Sequence, residues 1–383
     1  TIAILLALSC LISLASATTS ASDSCRTFGD KTLRGIWVRP VASLDSAKIQ
    51  IDNIAKAGFN AIYLETFYHG FTIYPNSRYV PIRPEMNETD YLRFYIEEAH
   101  KRGIEVHAWI EVFYWEVDTK DYPQFPKTPL FTKHPSWRLI MRNGKTSEKD
   151  EKAHIFANPA NPEVQKFLAA YVKEMLTKYP LDGINLDYVR YPIGFQDGGY
   201  DSATLKAFQK IHKYDPRSVA INSKDAKWQK WVEYREEQVL KTVALIKKAR
   251  DNSRPKAVLS AAIFPGPAEA RYTLDSHFQN WREMMKRDLL DTIIPMSYAY
   301  GISGIEKEVD NVLVAVPKGS KIKVEPVLAI QKLGADQYAG TGHPPVIEQQ
   351  ELMTRKGIPG FSIFCYDWMM DSKEGLDLFK QTK

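Results

Sequence analysis

Short apolar runs alternate along this chain with longer segments whose apolar residues recur at helical spacing. The runs at 35–38, 60–66, 104–110, 183–188, 257–263, 292–296, 321–328 and 360–365 are strand-length and rich in β-branched and aromatic residues, as buried strands are. Between them the pattern predicts helices over 46–56, 90–102, 161–178, 227–250 and 281–287, another helical stretch between 193 and 227, and a short helix after 373. In the first helix Ile49, Ile51, Ile54 and Ala55 are the expected inner face, with Gly58 as its stop. A long segment, 113–159, reads as a loop carrying a small hairpin, with 137–141 as a strand and Asn143-Gly144 as its turn. Eight strand–helix units in order predict an α/β fold, a (β/α)8 TIM barrel with loop insertions after strands 3 and 4 and with strand 1 beside strand 8.

Residues 2–12 are apolar and are followed by Ala15-Ser16-Ala17, a small-x-small site. Residues 1–17 therefore read as a secretory signal peptide cleaved after Ala17, residues 18–30 as a short polar tail and residues 31–383 as the barrel. The expected location is secreted or cell-envelope. The segment before Cys10 is a poor lipobox, so a lipid anchor there is the lesser reading. Beyond the signal only Cys25 and Cys365 remain, which make neither a disulfide scaffold nor a zinc site; Cys365 lies in an apolar run and reads as a buried thiol.

The net charge of +5 comes from lysines and arginines scattered among acidic helices, which argues against a nucleic-acid partner. There is no glycine-rich phosphate loop and no GxSxG elbow, which leaves nucleotide and serine-hydrolase chemistry without support. No histidine pair has metal-ligand spacing, so no metal and no cofactor is expected. Aromatic residues make up 12% of the chain, and many of the tyrosines and tryptophans fall in loop-like segments. Amphipathic rings in that position suit stacking on sugars, so the expected partner is a polysaccharide.

The chemistry is expected at the C-terminal tips of the strands. The run Asp182-Gly183-Ile184-Asn185-Leu186-Asp187 ends in a carboxylate followed by Tyr188, Arg190 and a proline. Asp187 is the leading catalytic candidate, with Arg190 as the partner that keeps it ionised; Asp182, at the other end of the same strand, reads as structural. Glu65 ends strand 2, with Arg39 or Arg190 as its counter-ion, and Glu111 follows strand 3 beside His107 and Trp109. Two carboxyl groups on one face of a sugar are what most glycosidases need, one to protonate the leaving oxygen and the other to act as nucleophile or base. Arg39, Tyr68, His69, His107, Trp109, Trp115, Tyr188, Arg190, Tyr298, Tyr366 and Asp367 are the expected substrate-binding residues. Tyr114, Tyr122, Phe125 and Trp137 are further candidates for a ring platform over strand 3, and Glu325 in strand 7 for the barrel mouth.

Seven strand-tip segments occur in order: RGIWVRP at 34–40, NAIYLETFYHGFTIYPNS at 60–77, HAWIEVF at 107–113, DGINLDYVRYP at 182–192, SAAIFP at 260–265, IIPMSYA at 293–299 and GFSIFCYDW at 360–368. Together they resemble the glycosyl-hydrolase-like family 10 domain of bacterial cell-envelope glycosidases, over about residues 30–380. The resemblance implies a (β/α)8 barrel and hydrolysis of a polysaccharide, in some members peptidoglycan glycan strands. The chain departs from that family where many members carry Asn in place of Glu111 and a non-acidic residue in place of Glu65. It also lacks the acid that closes the strand-4 ladder of family-18 chitinases, since Val189 stands there and Asn185 replaces the ladder's middle Asp. The rival reading is a carbohydrate-binding barrel of the envelope that has no catalytic activity.

Overall fold

The computed structural model describes residues 32–118, 125–146, 154–192, 197–330 and 343–372. The signal, the polar tail, Tyr122 and the helix expected after 373 lie outside these residues. The barrel strands are β1 (Arg34–Val38), β2 (Ala61–Tyr68), β3 (Glu105–Glu111), β4 (Gly183–Asp187), β5 (Val258–Ile263), β6 (Thr292–Ser297), β7 (Val327–Ala329) and β8 (Phe361–Phe364). Each pairs in parallel with its sequence neighbours, and β1 closes the ring, with Arg34 opposite Phe361 and Gly35 opposite Ala61. The chain is thus a closed eight-stranded (β/α)8 barrel. Strand 7, expected as one run over 321–328, is split. Lys323–Val324 pairs with β6, Val327–Ala329 with β6 and β8, and Glu325-Pro326 separates them. Pro326 has no N–H to give a ladder, which accounts for the break.

Alternation along each strand sorts its side chains. On β3, Val106, Ala108 and Ile110 face the helical layer, while Trp109 joins Trp37, Tyr63, Ala262, Ile294, Val327 and Cys365 in a separate cluster inside the barrel. Two glycines make room for that filling: a Cβ on Gly35 would come within 2.8 Å of the Tyr63 ring, and one on Gly183 would overlap the His107 imidazole. Cys365 is buried, as expected.

Helix starts follow their capping residues. Ser43, Asp90, Asn161, Asp201 and Asp225 each accept a backbone N–H at the start of Leu44–Lys56, Tyr91–Lys101, Pro162–Lys178, Ser202–His212 and Ala226–Ser253. The inner face of the first helix is Ala47, Gln50, Ile51 and Ile54. Ile49, expected there, is 60% exposed, because the buried stripe at 3.6-residue spacing runs through positions 47, 51 and 54 and leaves 49 to one side. Gln50 takes an inner place because its amide donates to the Arg39 carbonyl and accepts from the Tyr95 hydroxyl.

The insertion after β3 does form an antiparallel pair, but between Tyr114–Val117 and His154–Phe156. The Asn143-Gly144 turn forms, closed by Gly144 N–H donating to the Met141 carbonyl. Its flanks do not make the expected hairpin: Pro135–Trp137 is a 3-10 turn, Arg138 bridges Ala157 and Met141 bridges Gly198. The insertion after β4 is pinned by an ion pair between Arg235 and Asp197, both side chains fully buried, with the Tyr200 hydroxyl on the same carboxylate and the Phe278 ring 3.7 Å from the guanidinium carbon. No helix among the described residues is long and apolar enough to cross a membrane.

Candidate active site

Three aromatic rings inside the barrel form the floor of its C-terminal mouth. Trp37 stacks on Tyr63 at 5.0 Å and meets Trp109 edge-on at 4.9 Å. Above them lie Arg39, just past β1, and Glu65, Glu111 and Asp187 on the adjacent strands β2, β3 and β4. Glu111 and Asp187 are direct register partners, and Glu65 is opposite Trp109.

Asp187 is half-buried and has both carboxylate oxygens engaged: Tyr188 N–H donates to Oδ1 at 2.7 Å and the Trp109 indole to Oδ2 at 3.0 Å. Tyr188 has φ +48°, a left-handed turn that aims its N–H back at the preceding carboxylate. Asn185, one layer below, is anchored on Ser260 at 3.0 Å. Burial raises the Asp187 pKa, and the Tyr188 N–H, Arg190 and Trp109 oppose the rise.

Glu65 is 1% exposed. Arg39 Nε lies 3.6 Å from its Oε1 and Arg83 Nη1 4.0 Å from its Oε2. Burial pushes its carboxyl up to about 7, the two arginines pull it down, and Asp187 and Asp367 add to the rise. Glu111 is 3% exposed and accepts the His69 N–H at 3.3 Å. Burial, then Glu65 and Asp187, raise its pKa well above the ordinary value and favour the neutral form. The three carboxyls thus act on one another. Burial drives all three toward the protonated state, and Asp187 has two N–H donors that oppose it.

Several expected residues join this group. Arg39 sits over the Trp109 and Phe364 rings, donates to Cys365 Sγ at 3.6 Å and lies 4.0 Å from Asp367. Tyr68 is half-buried between the His69 ring and the Arg83 guanidinium. His69 shares a 2.6 Å hydrogen bond with the Tyr114 hydroxyl, and burial, then Arg83, lowers its pKa to about 3, so it is neutral at working pH. Arg190 is buried, donates to the Tyr191 carbonyl and lies 4.6 Å from the Tyr188 ring centre. Burial and the charge of Asp187 keep the Tyr298 hydroxyl protonated.

Other expected residues do not reach the mouth. His107 is the third residue of β3, opposite Gly183, and with Glu325 it lines a cavity of about 430 Å³ at the N-terminal end of the barrel. Both were expected at the other end. Trp115 is fully buried, donates to the Val112 carbonyl and packs on Phe67, Phe131, Trp137 and Phe167, so it fastens the loop to the barrel and offers no face to a sugar. The Tyr366 hydroxyl turns outward and accepts from Asn53 of the first helix at 3.1 Å. Asp182 is structural, as expected: it accepts from Val106 N–H and lies 2.7 Å from His100 Nε2. Arg83 was missed. It lies in the loop after β2, far in sequence from the strand tip it serves, and nothing in its surroundings in the chain singles it out. Among the described residues no group of three or more His, Cys, Asp or Glu side chains is arranged to hold a metal ion.

The family model for glycosyl hydrolase-like 10 matches residues 32–330. Among curated proteins, the glycosyl hydrolase YngK of Bacillus subtilis (strain 168) is 26% identical over 183 residues, 43% of this chain and 34% of that protein. The glycosyl hydrolase DigH of Escherichia coli (strain K12) is 25% identical over 183 residues, 40% of this chain and 41% of that protein. The matches thus span well under half of either relative. Among solved structures, alpha-L-fucosidase isoenzyme 2 from Paenibacillus thiaminolyticus aligns with TM-score 0.61 and 16% identity, over 92% of this chain and 48% of that one. The catalytic domain of a Paenibacillus polymyxa beta-amylase aligns with TM-score 0.61 and 14% identity, over 92% of this chain and 98% of that one. At these identities the two structures speak for the barrel fold alone.

Proposed function

The chain belongs to the glycosyl hydrolase-like 10 family, and from that premise we propose that it hydrolyses O-glycosidic bonds of a bacterial polysaccharide, with peptidoglycan glycan strands as the first candidate. The observation that carries the reading is a cluster of three neighbouring carboxyl groups, all raised by burial, in which Asp187 has N–H donors on both oxygens to hold its charge and Glu65 reaches about 7. Carboxyl groups whose surroundings separate their acidities take opposite roles in proton transfer.

Glu65, at about 7, is poised to give a proton near neutral pH. In the proposed step it protonates the glycosidic oxygen, the C1–O bond breaks and its electron pair leaves with that oxygen. Asp187 faces the positive charge that develops at C1. Water supplies the hydroxyl that ends on C1, and its remaining proton restores Glu65. Glu111 stays neutral and fixes the loop after β2 through the His69 N–H. The half-buried rings of Tyr68, Tyr188, Tyr298 and Trp368 are the surfaces on which sugars stack. The apolar run at 2–12 and Ala15-Ser16-Ala17 support export to the envelope or beyond, tested by N-terminal sequencing for a start at Thr18.

The test is to incubate the purified protein with a panel of polysaccharides that includes denuded peptidoglycan strands and to weigh the products. Fragments heavier by one water per break, formed by the parent and not by Asp187→Asn, are the expected result. Absence of products from every glycan would sink the reading. A barrel that binds glycans without cleaving them is the second reading, favoured by the burial of Glu65 and Glu111 at 1% and 3% exposure. It predicts retention of a glycan with no fragments.

A further inference from the structure

A groove on the outer wall of the barrel carries a separate pattern. It runs along helix Pro162–Lys178, between that helix and the loop after β2, as two cavities of about 400 and 340 Å³. Tyr79 and Arg78 line both cavities, so they form the ridge between them. Tyr79 is 37% exposed, and its ring meets Phe167 in a T-shaped contact at 6.0 Å.

Around that ring Arg78, Lys133, Lys173 and Lys178 line the cavities. The one carboxylate in the lining, Glu174, is turned inward. It is 8% exposed and accepts from the Tyr74 hydroxyl at 3.0 Å, the Ser77 hydroxyl at 2.6 Å and the Arg78 N–H at 2.9 Å. Lys178 adds a hydrogen bond to the Asn76 carbonyl at 2.7 Å. The carboxylate is therefore spent on fixing residues 74–78, and the Tyr79 ridge is set in place before any ligand arrives. Arg78, Lys133 and Lys173 are exposed, and their charged ends have no acidic partner among the described residues.

We propose that this groove is a second glycan-binding site, one that takes a carboxylate-bearing polysaccharide strand outside the barrel mouth. Tyr79 stacks on a sugar ring, and Arg78, Lys133 and Lys173 pair with acidic substituents on either side, while Lys178 stays on Glu174, 3.8 Å away. Both cavities fall in the size range of small-ligand pockets, and a single ring between two of them suits a chain of sugars whose middle unit stacks. Opposite charge supplies the complementarity and makes the binding salt-dependent. The site goes beyond catalysis and stands whether or not the mouth turns over.

Affinity electrophoresis of the full chain in gels containing polygalacturonate tests this, with dextran as the neutral glycan and polyglutamate and single-stranded DNA as non-glycan polyanions. The expected result is retardation by polygalacturonate beyond that by the other three, weakened at least tenfold in apparent affinity by Tyr79→Ala and by Lys173→Glu. Lys173 is exposed, so its reversal tests the groove without disturbing packing. Unchanged retardation of both variants overturns the proposal, and so does equal retardation by polyglutamate or stronger retardation by DNA. Hydrolysis of a short soluble oligosaccharide, which Tyr79→Ala is expected to retain, separates failure of this site from failure of the glycosidase reading.

Discussion

Asp187→Asn is the substitution that most directly tests the proposed centre. The amide keeps the shape and removes the charge. Losing one preorganised electrostatic stabiliser of a developing charge costs about 2.7–4 kcal/mol, a fall of about 10²–10³ in turnover. The structure adds two further consequences. Both donors on Asp187, Tyr188 N–H and the Trp109 indole, need an acceptor, and an amide has only one oxygen to offer. One donor then faces an NH2 group. Trp109 is 2% exposed, and a buried donor left unpaired costs about 1–3 kcal/mol. The loss of a few degrees in Tm that follows is more than a carboxylate open to solvent at the mouth would give. Glu65 also loses a neighbour that raises it. The residual activity of Asp187→Asn is therefore expected to fall off at lower pH than that of the parent, because the acid deprotonates earlier. Reducing-end release on a substrate the parent cleaves, measured from pH 4 to 9 beside a thermal melt, reads all three. Turnover within tenfold of the parent would refute the assignment of Asp187, and the Glu65/Glu111 pair would take its place.

Activity of the parent is expected to decline as pH rises through about 7, where Glu65 loses its proton, and Glu65→Gln is expected to abolish both that limb and most of the turnover. The same group lowers stability as pH rises. Its folded pKa lies above its unfolded value of 4.5, so its contribution is complete below 4.5 and is lost by about 7, and a series of melts of Glu65→Gln over this window should show a shallower slope than the parent. Trp109→Phe keeps a ring against Trp37 but removes a donor to Asp187; turnover should fall about tenfold, in line with one charge-assisted hydrogen bond, and the acid limb should move up as Asp187 becomes easier to protonate, whereas an unmoved limb would mean that the indole only packs. Arg235→Met leaves buried Asp197 with only Arg142, 3.9 Å away, as counter-charge and should cost about 3 kcal/mol in urea unfolding; a loss under about 1 kcal/mol would show that the pair does not hold the insertion after β4.

The alternation of apolar runs determined the barrel, because eight strands that bury both faces can be covered only by helices that return the chain in parallel. It also determined that Glu65, Glu111 and Asp187 face inward from β2, β3 and β4, since side chains alternate along a strand; Glu65, expected at the end of its strand, is the fifth of eight residues because β2 runs on to Tyr68. The sequence did not determine which layer of the barrel an inward residue occupies. His107 and Glu111 both point inward from β3, yet four residues at about 3.3 Å each put them about 13 Å apart, at opposite ends. Nor could it tell a ring that packs a loop from one that faces a cleft. Trp115 and Tyr68 each follow a strand-tip acid, but only the folded insertion after β3 covers Trp115 with Phe131, Trp137 and Phe167. Arg83 was decided wholly by tertiary structure, because a loop brings it back across β2 to Glu65, a charge contact that no local pattern records. The upward shift of the three acids was decided there too. Acidity depends on how much water is excluded and which donors arrive, and both are set by neighbours from other strands.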